Sequence, residues 1–75
     1  MADERIRIEV SFDGGQIMGA LVEESMADDL ERAIGDGRNG AFALEADDGR
    51  YTVSLQRVVY VKRFKREGRV GFSGP

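Results

Sequence analysis

A chain of 75 residues with a net charge of −3 has room for one small domain and not two. It contains no cysteine and no histidine, which excludes disulfide staples, the usual zinc ligand sets and a histidine-activated nucleophile. No run approaches the ~20 apolar residues of a membrane helix, and the charged start Met1-Ala2-Asp3-Glu4-Arg5 lacks the apolar stretch of a secretory signal, so a cytoplasmic protein with no membrane contact is expected.

Residues 5–12 alternate Ile6, Ile8, Val10 and Phe12 with Arg5, Arg7, Glu9 and Ser11. That period of two predicts a half-buried strand. Asp13-Gly14-Gly15 supplies the positive φ angles of a tight hairpin, and residues 16–22 read as the returning strand. A run apolar on both faces also allows residues 16–22 to begin a longer helix.

A helix is predicted next, capped by Ser25 with Asp28 three residues on. Met26, Leu30, Ala33 and Ile34 fall on one helical face. Gly35 is placed to end it in the left-handed conformation. The loop through Gly40 leads to a strand over residues 41–46, with Phe42, Leu44 and Ala46 on one face. Asp47-Asp48-Gly49 turns the chain into a strand carrying Tyr51, Val53 and Leu55. Val58-Val59-Tyr60-Val61 opens a strand running to Phe64, and four consecutive β-formers suit cover on both faces. Glu67-Gly68 turns into a short segment over residues 69–72, and residues 73–75 are expected to fray.

The expected fold class is therefore α+β, a single domain over residues 1–75 in the order β-β-α-β-β-β. The expected core is Ile6, Ile8, Val10, Phe12, Leu21, Leu30, Ile34, Phe42, Leu44, Val53, Leu55, Val59 and Val61. A hairpin followed by a helix and further strands resembles the ubiquitin-like β-grasp domains, and the alternative architecture is a small barrel with one helix. Residues 25–34, the turn Asp48-Gly49-Arg50 and the strand Val58-Val59-Tyr60-Val61 also resemble a group of short actinobacterial proteins of unknown function. That resemblance carries no catalytic motif and implies only the fold.

Candidate chemistry is sparse. Gly35-Asp36-Gly37-Arg38-Asn39-Gly40 matches G-x-G-x-x-G, yet it follows a helix and precedes a strand, the reverse of a phosphate-binding context. Read as a calcium loop from Asp36, it places Arg38 and Gly40 where oxygen ligands belong. The acid pairs Glu23-Glu24, Asp28-Asp29 and Asp47-Asp48 fit helix-end and turn chemistry better than paired acid/base work. No cofactor, metal or catalytic residue is assigned, and a non-enzymatic protein is expected.

The charge is uneven. Residues 1–50 hold 13 acids and 5 bases; residues 51–75 hold 1 acid and 6 bases, so −8 and +5 sum to −3. The candidate partner-binding residues are Lys62, Arg63, Phe64, Lys65, Arg66 and Arg69, bases bracketing an aromatic ring. Two readings follow. Apolar surplus in a short chain predicts a self-associating binding or scaffold module, a homo-oligomer with a protein partner. The basic, aromatic C-terminal region at residues 62–69 is the composition of a nucleic-acid contact.

Overall fold

The computed structural model describes residues 4–65. Their elements run β1 (Arg5–Phe12), β2 (Ile17–Glu23), α1 (Glu24–Gly35), β3 (Ala41–Ala46), β4 (Gly49–Ser54), a 3-10 turn (Leu55–Arg57) and β5 (Val58–Arg63). They form two antiparallel sheets, β2-β1-β5 and β3-β4. These do not close into a barrel, so the barrel alternative is set aside. The segment expected over residues 69–72 and the frayed end at residues 73–75 lie outside the described residues.

The alternation in β1 works as its pattern demands. Ile8 and Val10 are fully buried and Ile6 and Phe12 pack against them. Phe12 N–H donates to Gln16 O at 2.8 Å, and Gly14 and Gly15 take φ near +92° and +93° to close the hairpin. β2 is a strand, which settles the ambiguity of its apolar run. Its register sets Val22 opposite Ile6 and Ala20 opposite Ile8, so even positions face inward. Leu21 was expected in the core; it stands on the outward face, and Val22 is the buried residue.

The helix corrects two further expectations. Ser25 is not its cap. The helix starts at Glu24, directly after β2, with Glu23 as N-cap and no side-chain cap bond. The Glu4 carbonyl accepts from the Glu24 N–H at 3.0 Å, so strand backbone meets a donor that a cap would otherwise serve. Nor does Gly35 take the left-handed turn; it is the last helical residue, and Gly37 carries the positive φ of 73°. Arg38 N–H donates to Ala33 O and Gly37 N–H to Ile34 O, the paired bonds of a Schellman ending. The glycine-rich loop is thus a helix-to-strand connection. Ala27, Leu30 and Ala33 are fully buried, flanked by Met26 and Ile34.

The β3-β4 ribbon brings Leu44 and Val53 into the same core, with Phe42, Ala46 and Tyr51 beside them. Leu55 is buried as expected but sits in the 3-10 turn rather than in a strand. β5 departs most from expectation. It is an edge strand, not a covered one. The register shifts between Ser11 and Phe12: Ser11 pairs Tyr60 and Phe12 pairs Val58, leaving Val59 as the extra residue of a bulge. Val59 is therefore 63% exposed instead of core, while Val58 and Val61 are half-buried.

Candidate binding face

The alternation that buries one face of β2-β1-β5 exposes the other. Its outward side chains lie in rows across the strands. Ile17, Ser11 and Tyr60 form the first row, and Gly19, Glu9 and Lys62 the second. The Phe64 N–H donates to Arg7 O at 2.9 Å, extending the β1–β5 ladder by one position, so Leu21, Arg7 and Phe64 form the third. Glu23 and Arg5 close the grid. No described element packs over these rows.

The rings on this face are held in place. The Arg7 guanidinium lies 5.4 Å and the Lys62 ammonium 4.5 Å from the Phe64 ring centre, inside the range of cation–π attraction. The Tyr60 hydroxyl donates to Glu9 Oε2 at 2.7 Å. That bond to a carboxylate pushes the Tyr60 phenol above its ordinary 10.0, and burial of the ring adds to the effect. Gly19, with no side chain, leaves a shallow depression of about 450 Å³ beside Arg7, Leu21, Asp47 and Asp48. Asp48 in its wall accepts from the Tyr51 hydroxyl at 2.8 Å, and that bond raises the Tyr51 phenol.

The sequence-predicted site residues divide. Lys62 and Phe64 stand on the outward face. Arg63 turns inward to the helix, where it donates to Glu31 through Nε at 2.8 Å and Nη2 at 3.3 Å, and to Asp28 through Nη2, with Glu24 4.0 Å from Nη1. These hydrogen bonds, Glu31 foremost, raise the guanidinium pKa further still. Glu24, Asp28 and Glu31 are one stripe of α1 at i, i+4 and i+7. Arg63 thus meets the acidic helix surface of its own chain. Lys65 is exposed, and Arg66 and Arg69 lie outside the described residues.

Arg7, Glu9, Gly19 and Tyr60 were not singled out from the sequence as site residues. A signal existed: strand period puts Tyr60, Lys62 and Phe64 on one face, and Arg5, Arg7 and Glu9 on another. That the two rows are neighbours follows only from the β1–β5 pairing. Among the described residues, no group of three or more acidic side chains is placed to hold a metal ion, and no helix is long and apolar enough to cross a membrane. No protein-family model, curated protein or solved structure matches this chain.

Proposed function

We propose that the chain is a small non-enzymatic binding module that works self-associated, two copies pairing antiparallel along the outer edge of β5. One observation carries this reading. Among the described residues no strand pairs with that edge, and Val59 stands on it 63% exposed, with Val61 half-buried two residues on. By the alternation of an antiparallel ladder, Val61 and Arg63 direct their backbone N–H and C=O groups away from β1. An open strand edge is a template for another strand. A domain this short gains stability by covering it.

The reading includes the partner-contacting role of Lys62, Lys65, Arg66 and Arg69, and the cytoplasmic setting expected above. It also keeps the β-grasp likeness in element order, a hairpin followed by a helix and further strands. Sedimentation velocity over a concentration series tests the pairing. The parent chain should sediment as a dimer, and Val61→Pro, which removes an edge-facing N–H, should be monomeric with an unchanged circular dichroism spectrum. Val59→Lys, at an exposed position, gives a second disruption. A parent chain that is monomeric throughout overturns the proposal.

A further inference from the structure

We infer that the outward face of β2-β1-β5 binds single-stranded nucleic acid, with Tyr60 and Phe64 as stacking platforms and Arg7 and Lys62 as phosphate contacts. The inference stands on the face itself and does not depend on the pairing of copies.

The first ground is the pattern along β5. Tyr60, Lys62 and Phe64 occupy alternate positions and share a face, so a cation lies between two rings. Every base has a π-face and every nucleotide a phosphate, which makes ring–cation–ring a match for an unpaired strand of any sequence. The second ground is spacing. Four strand residues separate Tyr60 from Phe64 by roughly 13 Å, nearly four times the roughly 3.4 Å rise of a stacked base. A ring can stack only on a base face that its neighbour leaves free, so a strand that touches both rings must be opened at each of them, which an intact duplex does not offer.

The third ground is charge segregation. The chain is acidic overall, but the acids of α1 (Glu24, Asp28, Asp29 and Glu31) lie on the helix, against the other side of the sheet. Three of them surround Arg63. The outward face carries Arg5, Arg7 and Lys62 against Glu9 and Glu23, with Asp47 and Asp48 at its β2 border, and its bases Arg7 and Lys62 gather around Phe64 on the β5 side. A phosphate that approaches Phe64 therefore meets Arg7 and Lys62 before it meets the acids of α1. The fourth ground is access. Gly19, on β2, leaves the side of the face beyond Arg7 low: Arg7 Nη2 lies 3.8 Å from where a Cβ would stand, beside the depression, so the guanidinium is open from that side.

The test is fluorescence anisotropy of labelled oligouridylate, oligothymidylate and duplex DNA, titrated with the full chain at about 50 mM and about 200 mM salt. Both single strands should bind and the duplex should bind more weakly. Two neutralised phosphates, one at each of Arg7 and Lys62, give a salt slope of about −1.4, a fall of roughly 7-fold between those salts. Tyr60→Ala and Phe64→Ala should each weaken binding by about fivefold to a hundredfold, the range for one base–ring stack. Gly19→Glu, whose Cβ meets only ordinary contacts at 3.8 Å, should abolish binding without unfolding the chain. Arg32→Ala, on the helix, should change nothing, and Val61→Pro should still bind, which separates this inference from the pairing of copies. No binding at the lower salt, equal binding of duplex, or indifference to Gly19→Glu in a folded variant would overturn it and return the face to a protein partner.

Discussion

The Arg63 clamp offers the sharpest test of what holds α1 to the sheet edge. Arg63 reaches from β5 and is the ionic link to Glu24, Asp28 and Glu31 on the helix. Its side chain is 29% exposed and that of Glu31 is 44% exposed, so water screens the pair in part. Exposed pairs contribute about 0.2–1 kcal/mol, and the two-point contact with Glu31 belongs near the top of that range. A double-mutant cycle of Arg63→Met and Glu31→Gln should therefore give a coupling of about 0.5–1 kcal/mol. Arg63→Met alone removes the Asp28 and Glu24 contacts too and should cost about 1–2 kcal/mol. In a domain of this size that lowers Tm by roughly 4–16 °C, since each kcal/mol is worth about 4–8 °C. The assay is urea unfolding followed by circular dichroism, repeated at about 1 M salt, where the Debye length falls to about 3 Å and the coupling should shrink. A coupling indistinguishable from zero at low salt would refute the reasoning, and would mean that apolar packing alone seats the helix.

Three further outcomes check the face assignments, the helix ending and the tyrosines. Leu30→Ala and Leu44→Ala, at fully buried positions, should each destabilise by about 2–5 kcal/mol in urea unfolding, while Leu21→Ala and Val59→Ala should stay within about 0.5 kcal/mol. Gly37→Ala forces a side chain into a φ of 73° and should cost about 1 kcal/mol, whereas Gly35→Ala, inside the helix with open space around its Cβ, should be neutral or stabilising, both read by thermal melts. Tyr51 and Tyr60 both titrate above 10.0 in the folded chain. A folded pKa raised above the unfolded one gives stability that is complete below pH ~10 and is lost as pH rises through the folded value. Absorbance titration near 295 nm should show both phenols ionising late, and Glu9→Gln should return one of them towards 10.0.

Much of the fold was legible because periodicity is a local property. The alternation from Arg5 to Phe12 and from Ala41 to Ala46 needs no partner to be read, and the glycine pair after Asp13 announces its own hairpin. Where the sequence misled, the deciding fact was long-range. Nothing local says whether Leu21 or Val22 faces inward; the register against β1 does. Val59 reads as core until a bulge against Ser11 and Phe12 turns it out. Ser25 is a sound cap by composition, but the strand feeds into the helix one residue before it, and the Glu4 carbonyl takes up the first donor. The basic segment was visible as composition, yet its division into an outward Lys62 and an inward Arg63 acquires meaning only once α1 supplies acids on one side and β1 supplies Arg7 on the other.

The β3-β4 ribbon shares no ladder with β2-β1-β5. Its turn is joined to β2 by the Asp47 N–H bonded to Leu21 O at 2.8 Å and to β1 by the Arg5–Asp47 ion pair at 3.6 Å, and apolar packing of Leu44 and Val53 adds to that hold. A two-stranded ribbon is marginal without such support. The molecule accordingly has a built-in order of loosening. Ribbon amides sit at the low end of the free-energy scale for opening, those of β1, flanked on both sides, at the high end. Because Asp47 and Asp48 also wall the depression over Gly19, each opening of the ribbon reshapes one border of the outward face, so the breathing of one sheet sets how long that border of the other keeps its shape.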